Sequence, residues 1–244
     1  MERKLQNLSW LTVRDLVPAK IDTILLPVGT VEGHGSACIG TDNYIPEMIS
    51  NELAERLNAL VAPTLNYGIT RSLYRFNGGS TILEEHYRDF VRDILNSYAD
   101  TGFHHVILMN GHGGNNTALK TVAEEFSRER KTNIAVIHWW QLCAQMTEQF
   151  FGHVGGHAGT DETALVQSID PALGGKDQYD PDLAYYFRPG ADVYPVPGTI
   201  LLYKEGEGHP NYDLSQVQDY RRKVCQTVGD FAEMVIGRWR KFGL

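Results

Sequence analysis

Cysteine is scarce: only Cys38, Cys143 and Cys225 occur among 244 residues. Three is an odd number and they lie far apart, which excludes a disulfide framework and suits a reducing compartment. Long apolar runs are missing too. No segment approaches the roughly 18 uncharged apolar residues that a spanning helix requires. The opening MERKLQNLSWLTVRDL has charges but lacks the apolar centre of a secretory signal. The expected location is therefore cytoplasmic, with no membrane anchor. Basic residues are in deficit, 22 Lys and Arg against 30 Asp and Glu, for a formal charge of −8. That balance weighs against a nucleic-acid partner, which calls for a basic face. There is no internal repeat, low-complexity tract or long linker.

What remains is ordinary globular material, 42% hydrophobic and 21% charged, enough for one large α/β domain over residues 1–244. Short apolar runs alternate with amphipathic stretches, the pattern of βαβ units with a mostly parallel sheet. Strands are expected at Thr23 to Val28, Leu60 to Leu65, His105 to Met109 and Ile134 to His138. TILLPV and HVILM are nearly all apolar, as suits strands covered on both faces. Helices are expected from about Asn43, from Leu83 to Tyr98, from Asn115 to Arg128 and from Thr160. The last helix carries the stripe Val217, Tyr220, Val224, Val228, Phe231, Val235 and Trp239, read as core packing or a subunit contact. Residues 174–210 are rich in Gly, Pro and Tyr without periodicity. A lid, an oligomer arm and a plain surface loop all fit that stretch.

The polar residues with chemical potential sit in three glycine-rich segments, two of them directly after strands. Ligands in open α/β sheets bind beyond the carboxyl ends of the strands. The first segment, Gly29 to Gly35 and on to Asp42, delivers Glu32, His34 and Asp42 to that edge. Glu32 and His34 are two apart, so an extended loop points both the same way. Asp42, just before the expected helix, is equally readable as an N-cap. The second, Asn110 to Asn115, brings a lone imidazole, His112, to the edge on a flexible turn. A phosphate-cradling reading of that turn lacks the Walker Lys-Ser/Thr pair and the GxGxxG spacing. The third runs from Gly155 to Thr163. His153 and His157 have i, i+4 spacing, but glycines intervene and the Glu of HExxH is missing, so a zincin pattern fails. Glu162 opens the next helix, where the macrodipole alone would favour a carboxylate.

Two His and three carboxylates form an N/O donor set suited to Zn²⁺, Mn²⁺ or Fe²⁺. Five such side chains, one carboxylate bridging, suffice for a two-metal centre. Of the other histidines, His138 ends a strand beside Trp139 and Trp140 and is a candidate to line the pocket. His86, His104, His105 and His209 carry weaker signals. No serine elbow or cysteine-protease context is present.

In order, the chain reads LPVGTVEGHG, IGTD, NGHGGN and HAGTDET over roughly residues 25 to 165. These segments resemble the creatininase (creatinine amidohydrolase) family, whose members carry LPVGS/T, E-x-HG, GTD, NGHGGN and HAGxxET in that order. The resemblance implies a three-layer α/β/α sandwich, assembled as a homo-oligomer, typically a hexamer. It implies two divalent metal ions, with Glu32, Asp42 and His112 holding one and His34, the bridging Asp42 and Glu162 the other. Zn is the first choice of metal, Mn or Fe the alternatives. It makes His157 the proton-shuttling catalytic residue and a small-molecule cyclic amide or formamide the substrate. The chain departs from the family in three places. EGHGSACIGTD is one residue shorter than EQHGPHLPLGTD and lacks its second His. YGITRSLYRFNGG lacks the His of YGxSxxHxxFPGT. Gly114 stands where creatininase itself has a Glu. These departures alter the pocket and leave a rival open, a non-catalytic metal- or nucleotide-binding protein on the same scaffold.

Overall fold

The computed structural model describes residues 1–244. A short helix, α1 (Trp10–Leu16), leads into strand β1 (Thr23–Val28). Then come α2 (Thr41–Leu53), β2 (Ala59–Val61), α3 (Glu84–Thr101), β3 (His105–Asn110), α4 (Asn116–Arg130) and β4 (Asn133–His138). Two short helices, α5 (Trp139–Leu142) and α6 (Ala144–Phe151), precede α7 (Thr160–Ile169). A strand pair, β5 (Ala184–Tyr186) and β6 (Ile200–Leu202), and the long α8 (Val217–Phe242) complete the chain.

The main sheet has the order β2-β1-β3-β4 and every pairing is parallel. Thr23 lies opposite His105, and Val28 opposite Asn110, so β1 and β3 end together. Asn110 in turn lies opposite His138. The two-residue period of a strand assigns alternate side chains to opposite faces. Leu25, Ile107 and Met109 pack against α2, α7 and α8 on one side. Ile24, Leu26, Val106 and Leu108 pack against α1, α3 and α4 on the other. The result is a three-layer α/β/α sandwich, and every residue of β1 and β3 is buried, as their apolar sequences require.

Several boundaries differ from the sequence reading for local reasons. The second strand covers only Ala59–Val61, because Pro63 has no N–H to continue the ladder, and Leu65 meets Val28 by an isolated bridge. Helix α2 begins at Thr41, so Asp42 lies inside its first turn and is not the N-cap, a position Gly40 occupies. The buried stripe of α8 runs on through Ala232 and Ile236, leaving Phe231, Val235 and Trp239 half-buried. Residues 174–210 are more ordered than their composition suggests. β5 and β6 pair in parallel, and His157 and Leu201 exchange backbone hydrogen bonds at 3.1 and 2.9 Å.

Two close approaches to one carbonyl set the position of α2, at Gly29, where a Cβ would stand 2.2 Å from the Asp42 carbonyl oxygen, and at Gly111. Pro46 has no N–H to satisfy the Asp42 carbonyl four residues earlier, and that carbonyl lies against Gly111. A Cβ on Gly111 would stand 2.1 Å from the Asp42 carbonyl oxygen and 2.8 Å from the Pro46 ring, whereas one on Gly113 would meet only Trp140 at 4.0 Å. Gly111→Ala is therefore expected to cost about 3 kcal/mol, a fall in Tm of roughly 6–12 °C. Gly113→Ala should leave the calorimetric Tm within about 2 °C of wild type, since surface changes away from special features are nearly neutral. Equal effects from the two would refute this account of how α2 is seated.

Candidate functional site

The loops after β1 and β3 and the first turns of α2 and α7 converge at the carboxyl edge of the sheet. There the structure brings together Glu32, His34, Asp42, His112, His157 and Glu162. Asp42 is at the centre: its Oδ1 lies 3.0 Å from His34 Nε2 and its Oδ2 lies 2.9 Å from His112 Nδ1. Glu32 Oε1 lies 3.2 Å from His112 Nδ1 and 3.6 Å from His157 Nδ1. Glu162 Oε2 lies 3.7 Å from His34 Nε2. Two sets of donor atoms, Glu32/Asp42/His112 and His34/Asp42/Glu162, each fall within 4.8 Å of one another and share Asp42. Glu32, His34 and His157 form a third set of the same compactness.

Each imidazole is held by a backbone carbonyl. His34 Nδ1–H donates to the Glu32 carbonyl at 3.0 Å, His112 Nε2–H to Ile69 at 2.9 Å and His157 Nε2–H to Gly33 at 2.8 Å. The remaining ring nitrogen of each therefore points into the cluster. Such second contacts fix both tautomer and ring orientation. His157 also lies against His34, with ring centroids 4.2 Å apart. Asn115 ties the loops together, accepting from Ile69 N–H at 3.0 Å and donating to the Gly29 carbonyl at 3.1 Å.

Glu32, Asp42 and Glu162 are all buried, and no Lys or Arg pairs with any of them. Burying three carboxylates together demands compensating positive charge. In the metal-free protein the histidines carry it. Burial works to lower the His34 pKa, but the Asp42 carboxylate overrides this and raises it to about 10. His112 is likewise raised well above its ordinary value, burial being outweighed by Glu32 and Asp42. Asp42 is held far below the usual carboxylate range: burial pushes up, and His34 and His112 pull harder. The Glu32 carboxyl is also lowered, by His112 against burial. Glu162 goes the other way, raised mainly by burial, although its Oε2 accepts Ala158 N–H at 2.6 Å. His157 falls to about 4, through burial first and the charge on His34 second, so it is a neutral base at pH 7. This acidic surround offers nothing to a phosphate, which removes the anion-cradle reading of the GHGGN turn.

The cluster opens into a cavity of about 590 Å³. Its far wall includes Phe187, Tyr194, Val196, Leu201 and Tyr203, so residues 174–210 form one side of the pocket. Trp140 and Arg71 line it as well, and so does Asp161, beside Glu162. The sequence reading assigned none of these lining residues to the site. For the wall from residues 174–210 the available signal was aromatic content without periodicity; Arg71, Trp140 and Asp161 carried none. His138 does not line this cavity. Its ring bonds Asn110 at 2.9 Å and faces a shallow depression with Asn116 and Lys120. His105 packs on Trp239, with ring centroids 5.4 Å apart, and His209 lies between the hydroxyls of Tyr179 and Tyr186. At Gly114 a Cβ would stand 1.9 Å from the Ile69 carbonyl oxygen and 2.4 Å from His112 Nε2. The hydrogen bond that orients His112 thus occupies the space a side chain would need.

A family model for creatininase (creatinine amidohydrolase) matches residues 6–206. A creatinine amidohydrolase of Pseudomonas putida is 29% identical over 221 residues, covering 80% of this chain and 84% of its own. A mycofactocin precursor peptide peptidase of Mycobacterium ulcerans (strain Agy99) is 28% identical over 172 residues, 64% of this chain and 62% of its own. The solved structure of a manganese creatininase superposes with a TM-score of 0.79 at 25% identity, covering 94% of this chain and 97% of that one. With its layered fold, its sheet-edge cluster and these matches, the chain belongs to the creatininase family of amidohydrolases.

Proposed function

We propose that this protein is a metal-dependent hydrolase of a non-peptide C–N bond in a small amide, lactam or formamide. Two divalent ions would be held by Glu32, Asp42 and His112 and by His34, Asp42 and Glu162, with Asp42 shared. The observation that carries this reading is the Asp42 carboxylate, whose two oxygens face two different imidazoles at 3.0 and 2.9 Å. The fit of the site to cations is visible at Asp42 Oδ2, which is sealed from solvent and receives no well-aligned hydrogen bond. Two imidazoles and three carboxylates suit Zn first, with Mn or Fe as alternatives. Manganese is also the metal of the solved creatininase cited above. When bound, such ions polarise an amide carbonyl as Lewis acids and acidify water.

The protein's own residues would do the rest. The carbonyl-held imidazoles keep the donor nitrogens in place before metal arrives. The neutral His157, its Nε2–H committed to the Gly33 carbonyl, offers Nδ1 to take a proton from the attacking water and pass it to the leaving nitrogen. The wall from residues 174–210 keeps bulk water from the reacting bond. A cytoplasmic location, a single domain over residues 1–244 and a homo-oligomer, hexameric as in the family, belong to the same proposal. No helix is long and apolar enough to cross a membrane.

The closed position at Gly114 favours a second reading, a metal-binding protein without turnover, because it removes the site of an acidic side chain that creatininase itself has. His157→Ala separates the two. As an enzyme, the variant should lose about 10²- to 10⁴-fold in kcat while elemental analysis still finds wild-type metal. Absence of any turnover by metal-loaded wild type across lactams, formamides and cyclic ureas would support the binder instead. Asp42→Ala should abolish binding of both ions, and Glu162→Gln should weaken one of them by about 10- to 100-fold; full metal retention in Asp42→Ala would overturn the shared-ligand assignment.

Metal must also displace protons. Because His34 and His112 are raised, loading at pH 7 should release on the order of two protons per chain. Calorimetry in buffers of different ionisation enthalpy measures this, and a value near zero would contradict the ligand set. The same shift has a sign for stability. The His34 contribution in metal-free protein is full below its ordinary 6.5 and lost as pH rises through about 10. Bound metal should flatten that loss in thermal melts.

A further inference from the structure

Asp161 is a buried carboxylate that the hydrolysis outlined above does not use. It occupies the second position of α7, next to Glu162. Successive helical residues are turned about 100° apart. Glu162 therefore turns toward His34, while Asp161 turns onto the wall of the 590 Å³ cavity, where only 5% of its surface is exposed. Its Oδ1 accepts the Gly156 N–H at 3.1 Å, and the backbone N–H groups of Asp161 and Glu162 also face the carboxylate. No Lys or Arg pairs with it, and the His153 imidazole acts on its charge from farther off. The single arginine lining the cavity, Arg71, is committed to Glu84. Four buried carboxylates thus face one space. Three are accounted for by the proposed ions, and Asp161 is left without a cation.

The rest of the cavity says what kind of cation would meet it. Trp140, Phe187, Tyr194, Leu201 and Tyr203 supply aromatic and apolar surface. Cavities of this size suit ligands well beyond a single small ring. Aromatic faces also favour a cationic nitrogen group and the flat surface attached to it.

We propose that Asp161 is a specificity-determining residue that receives a cationic nitrogen group (ammonium, amidinium or guanidinium) carried on an aromatic or apolar part of the substrate, away from the bond that is cut. This rests on the hydrolase reading for its reaction but not for its binding chemistry. A desolvated carboxylate meeting a charged N–H donor gives the strong form of hydrogen bond. A neutral amide in the same place offers only the weaker, uncharged form of that bond.

Benzamidine and its neutral isostere benzamide test the assignment without turnover. Calorimetric titration of zinc-loaded protein should show benzamidine binding about tenfold or more tightly than benzamide. In Asp161→Asn that ratio should fall to about twofold or less, with zinc content unchanged because Asp161 is not a proposed ligand. Asp161→Ser gives the same comparison with a hydroxyl still able to accept the Gly156 N–H. Tyr203→Ala should weaken both compounds and leave their ratio. Equal affinities in wild type, or an undiminished ratio in an Asp161 variant that retains zinc, would overturn the proposal. Loss of zinc binding by wild type is a separate result and counts against the hydrolase reading instead.

Discussion

The site depends on one carboxylate placed between two imidazoles. Asp42 reaches His34 with one oxygen and His112 with the other, and this requires three segments to arrive together. β1 delivers the loop bearing His34, β3 delivers the loop bearing His112, and α2 must start close enough to set Asp42 between them. The in-register ends of β1 and β3 supply the first condition. The Asp42 carbonyl, which has no Pro46 N–H to meet it and is seated against Gly29 and Gly111, supplies the second. A side chain at Gly111 or a shift of α2 by one residue would separate the acid from both bases.

Around that centre the structure resolves an electrostatic conflict. Three buried carboxylates repel one another, and none has a permanent cation. Protons on His34 and His112 balance them in the metal-free chain, which is why those histidines are pushed up and Asp42 down. Divalent cations would replace those protons with more charge in the same space. His157 stands apart from this balance. Burial and the neighbouring His34 charge keep it neutral, so a ring only 4.2 Å from His34 has a different protonation state and is suited to a different task. Environments that push neighbouring titratable groups apart are how one site holds ligands and a base together.

Gly114 is one of the places where the sequence departs from the creatininase pattern. The Ile69 carbonyl that orients His112 also fills the space at Gly114, so one contact sharpens the cluster and removes a position for an acid. On the opposite side, β6 is fastened to His157 by paired backbone hydrogen bonds. The wall of the cavity formed by residues 174–210 is thereby tied to His157.

Much of this was legible in the sequence, and the reason is local. TILLPV and HVILM could only be strands buried on both faces, and the loops after such strands had to reach the sheet edge. That placed Glu32, His34 and His112 near a common point, and motif order pointed to the family and to Asp42, Glu162 and His157. The extent of the second strand was misread because apolar character outlasted the backbone pairing that Pro63 ends. Asp161 was not visible at all, and residues 174–210 fitted a lid, an oligomer arm and a plain surface loop equally. No periodicity marks them, and adjacent acids at a helix start look alike in one dimension. Only the tertiary structure decides which of two neighbouring carboxylates turns toward His34 and which toward the cavity, because the turn of the helix and the strands packed around it, not residue type, direct each side chain.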